Sequence, residues 1–189
     1  TAKVYGDNSF ENIIFSESNP LAPSCPYSHA KILCENMISS SSNETSFDYL
    51  IFRMSPVLIG SSQSNIGKLF HVVEKGIPIP SFRAGDLNKR SFLSYEFLAK
   101  ILNTTLQDAS HFSNETLNLS DPDTISTNKL IRNFASNINK KVFIIYFPNF
   151  LFKAMLRIDK LELILCRLFG NFQLSNARLL NKFNSKDVG

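Results

Sequence analysis

The sequence predicts an α/β fold. Two observations carry this. Short apolar runs of strand length, such as LIFRM and KVFIIYF, alternate with longer stretches along the whole chain. Those longer stretches space their apolar residues three and four apart, as one buried helix face requires. Pro, Gly and Asn/Ser clusters punctuate the alternation.

In order, residues 7–25 read as a loop, with Pro20, Pro23 and no sustained period. A helix is expected to begin at Pro26, since Pro suits a first helical turn. It runs through YSHAKILCENMISS, with Ala30, Leu33, Cys34 and Met37 on a buried face, and exits in SSSSNETS (Ser39 to Ser46). Phe47 to Ile59 is apolar enough for a parallel strand buried on both faces. NIGKLFHVVEKG is a helix ending at Gly76. IPIPSF is a short extended piece, KRSFLSY a strand and EFLAKILNTTLQ a helix. ETLNLS is a strand. STNKLIRNFASNI is a helix with Leu130, Ile131, Phe134 and Ile138 on one side. KVFIIYF is a strand, residues 149–169 one long helix, and NARLLNKFN a last short helix.

Composition narrows the function classes. The 189 residues are 43% hydrophobic, ordinary for a globular protein. Net charge is +4, from 20 basic and 16 acidic residues, but the basic residues are scattered. No basic stripe for nucleic acid exists, while a phosphate-bearing small molecule would still be attracted. Cys25, Cys34 and Cys166 are odd in number and widely spaced, which argues against a disulfide framework or structural zinc and fits a reducing compartment. No metal is expected. Sequons at Asn43, Asn103, Asn114 and Asn118 are what this much Asn and Ser produces by chance. The most apolar stretch, Val142 to Ile158, is broken by Pro148 and Asn149 and carries Lys153 and Arg157. It falls short of the roughly 20 apolar residues of a membrane span, although a helix lying on a membrane surface stays open. No signal peptide is recognised, so a cytoplasmic location is expected. The seven glycines form no G-x-G-x-x-G cluster, so the chain alone cannot hold a dinucleotide in the usual way.

Tyr27 and Lys31 stand at i and i+4, on one helix face. A Tyr hydroxyl titrates near pH ~10. A neighbouring ammonium stabilises the phenolate and makes such a Tyr a workable acid/base at neutral pH. Spacing alone equally fits a surface Tyr beside a solvated Lys.

The surroundings decide the matter. TAKVYG, followed by the loop FSESNPLAPSC and then PYSHAK, resembles the extended short-chain dehydrogenase/reductase family, in its sugar-nucleotide epimerase/dehydratase branch. Five further segments follow in register, among them LNLSDPDTISTNKLIRNFA, which resembles the family's later strand and helix. LIFRM resembles the family strand ending in Arg. SNIGKLFHVVEKGIPIP, NKRSFLSYEFLAK and CRLFGNFQLSNARLLNKF resemble its later segments, the last as in members that work on polysaccharide precursors. The resemblance implies the C-terminal part of a doubly wound parallel-sheet (Rossmann-type) domain plus a small α/β substrate domain, with the N-terminal Gly-rich half absent. Residues 1–60 would belong to the nucleotide-binding domain and 61–189 mainly to the substrate domain, interwoven with the sheet. It places Thr1, Tyr27 and Lys31 on the catalytic Ser/Thr, Tyr and Lys, the last two also holding the cofactor, NAD or NADP. Asn65 and Arg90, and more loosely Arg167, fall on contacts to the diphosphate of a UDP-sugar. A homodimer through the Tyr27 helix is implied when full length.

The match departs in places. Ser28 and Ala30 replace the usual Gly and Ser, Leu58 and Ile59 the usual Tyr and Gly, and Glu96 the usual Asp. The 4,6-dehydratases carry Asp-Glu directly after the Thr, where this chain has Ala2-Lys3. That favours a UDP-sugar 4-epimerase, with a 4-keto sugar nucleotide reductase as the alternative. Two readings from other classes remain: an inactive fragment or non-catalytic nucleotide-sugar-binding domain, and a peripheral membrane protein anchored through residues 148–169.

Overall fold

A computed structural model describes residues 1–45, 47–58 and 65–183. The chain opens with a single 3₁₀ turn, Ala2–Tyr5, capped by the Thr1 side chain. Gly6 follows at φ 110°, where a Cβ would also lie 3.1 Å from the Ala22 carbonyl, so glycine is required there. The segment expected to be a loop contains a strand, β1 (Ile14–Phe15), parallel to β6 (Gln173–Leu174). Two residues are too few to show a period. Tyr5 stacks on Phe15 and joins Val4, Phe172 and Leu174 in a small core.

Helix α1 (Pro26–Thr45) starts where Pro26 predicts but continues through the Ser-rich stretch expected to end it. There the hydroxyls turn onto backbone instead of breaking the helix. Thr45 Oγ1 donates to the Ser41 carbonyl (2.6 Å), and Ser42 Oγ to that of Phe47. The expected buried face is wrong. Ala30 and Cys34 are exposed, and Leu33 and Met37 are 62% and 68% exposed. The inward face is instead Ser28, Ile32, Glu35 and Ser42. An ion pair made by Glu35, described below, turns the helix that way.

Strand β2 (Leu50–Met54) pairs in parallel with β4 (Glu115–Leu119), Leu50 opposite Glu115 through Met54 opposite Leu119. It was expected to be buried on both faces, yet Leu50, Ile51 and Phe52 are only half-buried and the buried residue is Arg53. Among the described residues β4 is its one ladder partner. The main core lies beside β4, where Leu117 and Leu119 meet Leu93, Ile101 of α4 (Tyr95–Gln107) and Leu179 of α8 (Ala177–Lys182).

Ser94 caps α4, accepting from the Phe97 amide at 3.2 Å while donating to Asp121 at 2.9 Å. Ser94→Ala is expected to lower stability by about 1 kcal/mol. Urea unfolding of the full-length protein checks this, and an unchanged midpoint would contradict the cap assignment.

A second layer forms around β3 (Ile79–Ser81), parallel to β5 (Ile144–Tyr146). Helix α2 (Asn65–Glu74) and helix α5 (Thr127–Asn137) pack there through Val73, Ile79, Ile131 and Ala135. Gly76 leaves α2 at φ 67°, as its stop position predicts. Leu130 and Ile131 are buried, with Phe134 and Ile138 half-buried beside them, so the predicted face of α5 holds.

Two expectations fail here. KRSFLSY is no strand: Arg90 bridges Ile125 and Phe172, and Leu93 bridges Val57. Successive residues turn to different partners, so no ladder forms. A short helix α3 (Ala84–Leu87) precedes it. The single long helix expected over 149–169 is two, α6 (Asn149–Met155) and α7 (Asp159–Phe169). The break lets Phe152 and Phe169 both reach the Phe82 ring, at 5.0 and 5.7 Å between centroids. Asp159 and Glu162 then open α7 where the helix dipole favours carboxylates. No helix among the described residues is long and apolar enough to cross a membrane.

Candidate active site

The 3₁₀ turn, the carboxyl end of β2 and the Arg90 strap enclose a cavity of about 160 Å³. Ligands of open parallel sheets gather at this end of the strands. Thr1 and Arg90 both line it, so two of the residues expected at the site meet in one place.

Arg90 is half-buried. Its Nη1 donates to the Arg167 carbonyl at 3.3 Å, and its guanidinium lies 5.4 Å from the Phe92 ring centroid. Burial pushes it down to about 10, with no carboxylate to offset the effect. A cation so placed favours an anion beside it. Lys3 lines the same cavity and pairs with Asp7. Burial pushes its ammonium down, and the nearby Arg167 charge adds to that against the opposing influence of Cys25. Arg167 itself is exposed, and its backbone carbonyl ties Arg90 and Asn8 (3.3 Å) to the rim. Three cations therefore stand near one opening. Among the described residues lining the cavity none carries a carboxylate; the Asp7 that pairs with Lys3 is not among them.

Tyr27 and Lys31 stand outside the cavity lining, on the exposed first turns of α1. Tyr27 is 55% exposed, and Lys31 Nζ lies 5.7 Å from its ring centroid. Among the described residues Lys31 makes no ion pair. Asn65 opens α2, but its side chain lies outside the described residues, as does Ile59.

One network was not read from the sequence. Arg53 Nη2 and Nε donate to Glu35 Oε2 at 2.8 and 3.1 Å, and Nη1 donates to Tyr5 Oη at 2.9 Å. Tyr5 Oη in turn donates to Asn118 Oδ1 at 2.8 Å. Burial opposes the Arg53 charge, but the bonds from Glu35 and Tyr5 outweigh it and hold the group above its ordinary value. This network joins α1 to β2, β4 and the turn that carries Thr1. Glu35 turns inward while Tyr27 and Lys31, on the preceding turns of α1, are exposed, so helical spacing carried no signal of the pair.

Comparison with known proteins extends this geometry. A family model described as the NAD dependent epimerase/dehydratase family matches residues 1–120. A curated UDP-glucose 4-epimerase of Vibrio cholerae is 26% identical over 172 residues, covering 91% of this chain and 52% of that protein. Among solved structures, UDP-glucuronic acid 4-epimerase of Bacillus cereus, in complex with NAD, superposes with a TM-score of 0.70 at 14% identity, over 96% of this chain and 52% of its own. The dTDP-glucose 4,6-dehydratase of Bacillus anthracis, also with NAD, gives 0.67 at 15% identity, over 97% and 53%. The likeness to these structures is one of fold, an α/β architecture with parallel Rossmann-type strands. The chain spans about half the length of the relatives it matches.

Proposed function

The chain belongs to the NAD dependent epimerase/dehydratase family, and from that premise we propose that the full-length protein is a 4-epimerase of a UDP-sugar serving polysaccharide precursor synthesis. The observation that carries this reading is the cavity shared by Thr1 and the uncompensated Arg90, with Lys3 and Arg167 close by. Three cations suit a diphosphate, and a hydroxyl suits the sugar oxygen beside it. Ala2 and Lys3 stand where the resemblance puts the acid and base of the 4,6-dehydratases, which speaks against elimination of water.

In this reading residues 1–60 form the nucleotide-binding part and 61–189 mainly the substrate part, of a cytoplasmic homodimer. Tyr27 accepts the proton of the sugar C4 hydroxyl and later returns it. The Lys31 ammonium stabilises the phenolate formed meanwhile. Thr1 hydrogen-bonds the C4 oxygen and fixes its position. Tyr27 and Lys31 hold the ribose and nicotinamide end of NAD, which when bound supplies a reversible hydride acceptor. Arg90, with Asn65 and Arg167, grips the diphosphate.

The test is to incubate full-length protein with UDP-glucose, UDP-N-acetylglucosamine and a 4-keto sugar nucleotide, each with NAD or NADP, and follow products by NMR. Interconversion of C4 epimers is expected. Reduction of the keto substrate alone would replace the epimerase reading with a reductase. Arg90→Met is expected to weaken UDP binding about 10- to 100-fold, as loss of hydrogen bonds to a charged group does, without lowering the melting temperature. A destabilised variant that binds UDP normally would mark Arg90 as structural.

A further inference from the structure

We propose that the outward face of strand β5 and helix α6 docks reversibly on an anionic lipid bilayer. Ile144 of β5 packs inward on the cluster shared by α2 and α5. Strand alternation turns its neighbours the other way. Phe143 is accordingly 64% exposed, and Ile145 and Phe147 are exposed beside it. Pro80 of β3, opposite Ile145, is exposed too. Three residues past Phe147, Phe150 is 73% exposed on α6, whose inner side sets Phe152 against Phe82. Single exposed apolar side chains are ordinary, but a contiguous outward row of large ones marks a surface that something covers. None of these residues lines the cavity of Thr1 and Arg90.

Charge says what covers it. From Lys140 to Lys160 the chain has five basic residues and one acidic, Asp159. That stretch carries +4, the net charge of the whole chain, so the remainder is balanced. Lys140 and Lys141 precede the apolar row and Lys153, Arg157 and Lys160 follow it, all of them exposed. None makes an ion pair among the described residues. An apolar field bordered by unpaired cations matches acyl chains bordered by anionic headgroups. Long Lys and Arg stems reach the headgroups while the rings sink below them. A second copy fits less well, because a twofold interface sets a patch against itself and here sets cations against cations.

An open cleft of about 490 Å³ borders the face, lined by Arg83, Asp86, Leu87, Tyr146 and Phe147. Arg132 already pairs with Asp86 at 2.9 Å. Arg83 makes no ion pair among the described residues, so its guanidinium is left for a headgroup phosphate. No helix among the described residues is long and apolar enough to cross a bilayer, so the contact is interfacial.

The experiment is flotation of the full-length protein with vesicles of phosphatidylcholine alone, and of phosphatidylcholine and phosphatidylglycerol in equal parts, with melting temperatures alongside. Wild type is expected to float with the anionic vesicles, to stay behind with the neutral ones, and to be released by high salt. Phe143→Ser with Phe150→Ser should weaken partitioning about 10- to 100-fold, the worth of burying such rings. Lys153→Gln with Lys160→Gln should weaken it about 10- to 30-fold, near 5-fold per cation. All four side chains are exposed, so melting temperatures should not change. Leu106→Ser on α4 is the control: Leu106 is more exposed than any residue of the row, and its loss should leave flotation as in wild type. Absence of wild-type flotation overturns the proposal, as does equal flotation with neutral vesicles. A loss in Leu106→Ser as large as that of the Phe pair also overturns it, since stickiness would then not belong to this face. A solution dimer that the Phe pair dissociates, without flotation, gives the face to a second copy instead.

Discussion

Turnover by the full-length protein is expected to fall about 10²- to 10⁴-fold on Tyr27→Phe, the usual worth of a positioned acid/base. The phenol oxygen is the atom removed. The ring stays, and so does its contact with Lys31, so folding and UDP-sugar affinity should hardly change. Tyr27 is open to solvent and has no hydrogen bond to another side chain among the described residues, so its loss leaves no buried group stranded. Steady-state rates set beside calorimetric affinities separate the two effects. Near-wild-type turnover in Tyr27→Phe would remove the residue from the mechanism. A parallel loss of binding and turnover would make it a substrate anchor instead.

Glu35→Ala is expected to lower stability by about 3–5 kcal/mol, because it leaves one half of a buried ion pair behind. The Arg53 and Glu35 side chains are only 10% and 12% exposed, so water does little to replace the lost partner. Replacing both, as Arg53→Met with Glu35→Leu, should recover most of the loss, since no charge is then stranded. Urea unfolding of both full-length variants beside wild type checks this. A single variant within about 1 kcal/mol of wild type would place the pair among surface ion pairs of little consequence.

What could be read beforehand divides along physical lines. Helices α4 and α5 were legible because their apolar spacing is also their packing. Ile101 and Ile131 are buried for the reason the pattern gives. Helix α1 was legible in position but not in orientation. Its apolar residues imply one face, whereas the Glu35–Arg53 pair sets another, and a charged pair across some eighteen positions has no period. The α6–α7 break was hidden because both halves are apolar, and a cluster around Phe82 can be met by one bent helix or two. Strands β1 and β6 fall below the length at which alternation exists. Of the candidate site, Thr1 and Arg90 were found through motif resemblance and are brought together by the fold.

The parallel pairings carry a further consequence for how the protein reaches its working state. Each joins strands far apart in sequence: Ile14 with Gln173, Leu50 with Glu115, and Ile79 with Ile144. Contacts of such long range form late and slowly. The cavity is closed by Thr1 and by Phe172, residues far apart in the sequence. Its walls therefore cannot coexist in a partly folded chain. Ligand binding at this opening should consequently be among the last properties regained on refolding, trailing the recovery of helical circular dichroism.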